Sequence, residues 1–119
     1  GPAAGAGPGS VVMLQLCAHN PTAVDPTEAE WDALSAALRG GEHLVLFDSV
    51  YQGLASGDPE RDAYGVRKFV ADGHKVMVAQ SFAKNLGMYG ERVGTLSVVC
   101  RDADESQRVL SQLKCLIRP

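Results

Sequence analysis

Four short apolar runs limit what this chain can fold into. VVMLQLC (11–17), LVLF (44–47), KVMVAQ (75–80) and TLSVVC (95–100) are each four to seven residues long and rich in β-formers. That length and composition predict strands, the first two of them buried. The segments between them carry helical spacing instead. Thr27 and Glu30 make a capping-box pair ahead of Trp31, Leu34 and Leu38, and Gly40-Gly41 stops that helix. Asp58 as cap and Pro59 in the first turn open a second helix, expected to bury Ala63, Val66, Phe69 and Val70 and to end at Gly73. Asp102 and Glu105 open a last helix carrying Val109, Leu110, Leu113 and Leu116. The order strand, helix, strand, helix, strand, strand, helix predicts an α/β fold, a mainly parallel sheet with covering helices.

Length and charge narrow the function classes. A chain of 119 residues has room for one small domain. The first ten residues, GPAAGAGPGS, hold no side chain large enough to anchor a core and read as a flexible lead-in, which leaves 11–119 as the domain. A net charge of −3 argues against a general nucleic-acid or anionic-membrane surface, which needs clustered Lys and Arg. No apolar run approaches the ~20 residues of a membrane span. Three cysteines, at 17, 100 and 115, make neither a disulfide framework nor a CxxC metal knuckle. No targeting peptide is visible, and no GxxxxGK[ST] phosphate loop occurs.

In a mainly parallel sheet the chemistry sits at the carboxyl ends of the strands. Polar residues cluster there: Asn20 after the first strand, Asp48 and Tyr51 after the second, Ser81 and Lys84 after the third. A lysine in a partly apolar, electropositive pocket becomes a nucleophile for carbonyls. Arg92, eight residues beyond Lys84, could hold a phosphate bidentately with Ser81 adding a hydroxyl. A capping carboxylate, a packed phenol and solvated Lys and Arg are the plain structural alternatives. Amine, phosphate clamp, carboxylate and phenol together suit pyridoxal 5′-phosphate (PLP), whose binding pattern is a lysine Schiff base with an acidic partner for the pyridinium nitrogen.

SFAKNLGMYGERVG (81–94) fits the PLP-lysine signature of the class I aminotransferases at every defined position. CAHNPT (17–22), FDSVYQGLASGD (47–58) and RVLSQLKCLIRP (108–119) extend the likeness. The chain from about Pro8 to Pro119 resembles the aspartate aminotransferases of that family, most of all the mitochondrial-type eukaryotic enzymes. The resemblance implies a piece of the large, PLP-binding domain of a fold type I aminotransferase. It implies a PLP Schiff base on Lys84, which then moves the proton at the substrate's Cα. It implies Asp48 against the pyridinium nitrogen, Tyr51 and Asn20 on the phenolic oxygen, and Ser81 and Arg92 on the phosphate. Lys84, Tyr51 and Asp48 are thus the expected catalytic residues. Amino-acid and 2-oxo-acid substrates, a homodimer and a mitochondrial matrix location follow by the same resemblance, with the cytoplasm as the alternative compartment.

Two departures matter. The family usually has glycine after the NPT triplet, where this chain has Ala23. If that position needs positive φ, alanine costs about 1 kcal/mol and strains the Asn20 loop. The resemblance also places the small domain, the residue stacking on the ring and both substrate-carboxylate arginines outside this sequence. The expected activity is therefore L-aspartate:2-oxoglutarate transamination in a complete enzyme, with the 119 residues alone inactive. The other readings are a class I transaminase for aromatic amino acids and a non-catalytic remnant that binds only PLP or a partner subunit. His19 is expected to be structural.

Overall fold

Three of the apolar runs become parallel neighbours in a computed structural model that describes residues 7–84, 86–88 and 90–117. The elements are β1 (Val11–Gln15), α1 (Glu28–Leu38), β2 (Leu44–Ser49), α2 (Pro59–Asp62), α3 (Tyr64–Ala71), β3 (Lys75–Ser81), β4 (Gly94–Val98) and α4 (Ala103–Ile117). The sheet order is β1-β2-β3-β4, with β1, β2 and β3 parallel and β4 antiparallel to β3. Gly9 and Ser10, within the expected lead-in, already bond to the chain around the start of β2: Gly9 N–H donates to the Gly41 carbonyl and Leu44 N–H to the Ser10 carbonyl. Residues 1–6 and 118–119 lie outside the described set.

The helices start where their caps predict. Thr27 and Glu30 form the reciprocal capping box of α1, with Thr27 Oγ1 accepting from the Glu30 N–H. Asp58 accepts from the Glu60 N–H at the head of α2, and Asp102 from the Glu105 N–H just before α4. The helix expected to run unbroken from Asp58 to Gly73 is instead two helices that meet at Ala63. Both sides of that junction are tied to other parts of the chain. Asp62 turns back to accept the Gly53 and Ser56 N–H groups, and Gly65 lies so close to the Trp31 indole that a Cβ would meet the ring at 2.9 Å.

In β2 the alternation is clean, with Val45, Phe47 and Ser49 buried and Leu44, Leu46 and Asp48 half-buried, whereas β4 is exposed along 94–97. Val12, Val45, Phe47 and Val76 point to one face and are buried under α1 and α3. Trp31, Phe47 and Phe69 meet there as a ring cluster, with centroids 5.3 to 6.2 Å apart. Removing one such ring costs about 3–5 kcal/mol, whereas an exposed ion pair contributes about 0–1 kcal/mol. Packing of these rings therefore holds α1 and α3 to the sheet. The other face is the barer one: Val11 and Met13 are 64% and 62% exposed, while Leu46 and Met77 are half-buried. Of the apolar residues expected to be buried, Val70 is exposed, because it lies on the solvent side of α3. Leu110 and Leu116 are also exposed, since no residue of α4 is buried among those described.

One polar knot joins the ends of this layer. Ser35, fully buried on α1, donates to Asp72 Oδ2 at 2.5 Å and lies 2.9 Å from His74 Nε2. Arg39 and Lys68 pair with the same Asp72 carboxylate. The Ser35 hydrogen bond and the two cations hold Asp72 below its usual range against an opposing burial effect. Burial likewise pushes the His74 imidazole below 6.5, opposed by the Ser35 carbonyl and Asp72, while Arg39 and His43 reinforce the shift. The folded state therefore binds the His74 proton more weakly than the unfolded chain does. That contribution to stability is full above 6.5 and is lost as pH falls through the depressed folded value. In the complete protein, the thermal midpoint should fall between about pH 7 and about pH 5. His74→Gln, which keeps a donor toward the Ser35 carbonyl, should flatten that part of the curve.

Candidate active site

Closure of the β3–β4 connection builds the floor of the site. Phe82 N–H donates to the Val93 carbonyl at 3.0 Å, and Ser81 pairs with Gly94 in the antiparallel register. A Cβ at Gly94 would lie 2.5 Å from the Gln80 carbonyl oxygen, so this close approach requires glycine. Arg92 takes a left-handed backbone, φ 53°, just before the chain re-enters the sheet. Ser81 and Arg92, eleven positions apart in sequence, thereby line one cavity of about 550 Å³. Asp48 lines it too. It projects from the barer face because Phe47 and Ser49, its neighbours in β2, are buried on the other. Ala79, Ala83 and Gly94 keep the intervening surface low, and Leu96 adds an apolar wall.

The structure thus brings three of the six expected residues together. Ser81 Oγ accepts the Ala83 N–H at 3.2 Å, which leaves its O–H to donate elsewhere. Arg92 has no ion-pair partner among the described residues. Lys84 is exposed in the same loop, where its carbonyl accepts the Gly87 N–H, and it does not line this cavity. Asn85 and Tyr89 of the signature stretch lie outside the described residues. Tyr51 is half-buried in the turn after β2, and its carbonyl accepts from Leu54 and Ala55. Asn20 is exposed after β1; its N–H and carbonyl both bond the Gln15 side chain, and its bond to Pro21 is cis.

Two carboxylates that the sequence reading did not single out shape these loops. Asp25 accepts the N–H groups of Ala18 at 2.7 Å and His19 at 2.9 Å, closing the turn that presents Asn20. Asp62 accepts those of Gly53 and Ser56, fixing the turn that follows Tyr51. The signal available for both was an acidic residue beside a proline or at a helix head, which is common enough to pass unnoticed. His19 Nδ1 lies 2.6 Å from Thr22 Oγ1 in the same turn. Cys17 is buried, and burial together with Asp62 and Asp25 raises its thiol to about 11, which makes it inert at neutral pH.

A guanidinium, a hydroxyl donor and a carboxylate on a shallow floor suit a ligand with an anionic end and a basic end. Among the described residues, no cluster of His, Cys, Asp and Glu could hold a metal, and no helix is long and apolar enough to cross a membrane. Comparison with known proteins decides the family. The profile of the family described as aminotransferase class I and II matches residues 3–119. The chain belongs to this family. A chloroplastic aspartate aminotransferase of Arabidopsis thaliana is 56% identical over 96% of this chain and 25% of its own length. A broad specificity aminotransferase from Leishmania mexicana superposes with a TM-score of 0.93 at 46% identity, covering 98% of this chain and 29% of that one. An aromatic-amino-acid aminotransferase from Burkholderia pseudomallei, covalently bound to pyridoxal phosphate, gives the same TM-score at 42% identity over 98% of this chain and 29% of that one. The chain spans about a quarter of the length of the curated relatives it matches.

Within this aminotransferase chain, the Asn20 loop carries the departure noted above. Ala23 has φ 56°, the left-handed backbone that glycine adopts without steric cost. Its N–H donates to the His19 carbonyl at 2.7 Å, so hydrogen bonding holds it there against the strain. Ala23→Gly should raise the complete protein's stability by up to about 1 kcal/mol, the steric term being offset in part by the greater freedom of an unfolded glycine. Urea unfolding with an unchanged m-value checks this.

Proposed function

We propose that the complete polypeptide carrying this segment is a PLP-dependent transaminase. Its reaction would pass an amino group between L-aspartate and 2-oxoglutarate, giving oxaloacetate and L-glutamate. The observation that carries this reading is the cavity that gathers Asp48, Ser81 and Arg92 at the strand ends, floored by the loop that bears Lys84. At about 550 Å³ it matches the size of ordinary cofactor pockets, and its donor set matches PLP. A guanidinium and a hydroxyl are what a phosphate needs, and a carboxylate is what a pyridinium nitrogen needs.

When bound, PLP supplies a protonated ring that takes up the electron pair left on the substrate's α-carbon. Arg92 and Ser81 hold the phosphate and so fix the position of the ring. Asp48 keeps the proton on the ring nitrogen, an electrostatic contribution that grows as negative charge develops. Tyr51 and Asn20 donate to the phenolic oxygen. Lys84 Nζ would hold the cofactor covalently and would move the proton at the substrate's Cα. Residues 11–119 are read as part of the large PLP-binding domain, with substrate-carboxylate recognition supplied from outside them.

Curated relatives named aspartate aminotransferase, at 50–59% identity, support aspartate as donor over an aromatic amino acid. Structural neighbours named for aromatic amino acids keep that second reading in play, at 42% identity. The family resemblance supports a homodimer. A mitochondrial location rests on likeness to relatives named mitochondrial, although relatives named chloroplastic and cytoplasmic match equally well. Borohydride reduction of the PLP-loaded complete protein, followed by peptide mapping, should place the pyridoxyl group on Lys84. Label on Lys68, Lys75 or Lys114 would overturn the assignment.

A further inference from the structure

Gln15 interrupts the apolar run of β1 on the barer face of the sheet, level with Asp48 in the parallel register. A carboxamide presents an acceptor and a donor side by side. Both are used on a single residue: Asn20 N–H donates to Gln15 Oε1 at 2.8 Å, and Gln15 Nε2 donates to the Asn20 carbonyl at 3.2 Å. The side chain thus pairs with the Asn20 backbone much as a neighbouring strand would. Asp25 secures Ala18 and His19 in the same loop, stopping one residue short of Asn20. The strained Ala23 lies three residues beyond.

We infer that Gln15 is a positioning residue that sets the placement of the Asn20 loop and so tunes the hydrogen bond Asn20 gives to the cofactor's phenolic oxygen. This rests on the transaminase reading above. An apolar side chain at 15 would leave the Asn20 N–H and carbonyl to water and release that part of the loop. A donor to the phenolic oxygen favours its anionic form, so loosening that donor makes the neighbouring nitrogen harder to deprotonate. The pH at which the bound cofactor's visible absorption changes must then rise.

The test uses the complete PLP-loaded protein as wild type, Asn20→Ala, Gln15→Met and the double variant. Met matches the length of Gln and carries neither charge nor hydrogen bond. Asn20→Ala should raise the spectral midpoint by about one pH unit and Gln15→Met by about half a unit, as expected for a hydrogen bond to a charged group lost or weakened. The double variant should titrate no higher than Asn20→Ala alone, because Gln15 acts through Asn20. A Gln15→Met midpoint equal to wild type, or shifts that add in full, would overturn the inference while leaving the transaminase reading intact. No shift in Asn20→Ala would overturn the role of Asn20 in that reading, and the inference with it. Amide exchange provides a second readout that does not need bound cofactor: the Asn20 amide should exchange faster in Gln15→Met, and unchanged protection would contradict the clamp.

Discussion

The strict alternation of β2 between two paired strands is the constraint on which the rest depends. Phe47 is wholly buried in the ring cluster, so Asp48 must point to the opposite face. A slip of one residue would bury the carboxylate and expose the ring, and pairing with both β1 and β3 makes such a slip expensive. The same register sets Gln15 on one side of Asp48 and Ala79 on the other. Position on the barer face is therefore a consequence of how the core packs. The ring cluster on one face determines where the chemistry on the other can stand.

The second constraint is the return of the chain from β3 to β4. The lysine signature looks like a string of loosely related residues until its ends are joined. Ser81 against Gly94 makes it a closed loop, and the lack of a Cβ at Gly94 permits the approach to Gln80. Ser81 and Arg92 then face one cavity that Asp48 also reaches. Lys84, Tyr51 and Asn20 sit on loops and do not line it; side chains there have more freedom than those on strands.

Much of this was legible in the sequence because it rests on local rules. The Thr27–Glu30 box, the Asp58 and Asp102 caps, Gly73 with its positive φ and the four strands all appear where their residues require. Other features depend on contacts remote in sequence, and no periodicity could show them. The break at Ala63 coincides with a tether from Asp62 to Gly53 and Ser56 and with the Trp31 ring over Gly65. The exposure of Leu110 and Leu116 follows from α4 burying nothing among the described residues. A helical stripe of leucines announces that a face wants a partner, but it does not say where that partner lies. Asp25 and Gln15 were equally hidden, since each acts on the backbone of a loop several residues away.

The central claim is that β2 presents Asp48 to the ring nitrogen of PLP from the open face of the sheet. Nitrogen-15 NMR of the complete protein, loaded with PLP labelled at that nitrogen, tests it most directly. The account predicts a protonated ring nitrogen at neutral pH in the wild type and an unprotonated one in Asp48→Ala, with the cofactor still bound. A resonance that stays at the same position in both proteins would contradict it.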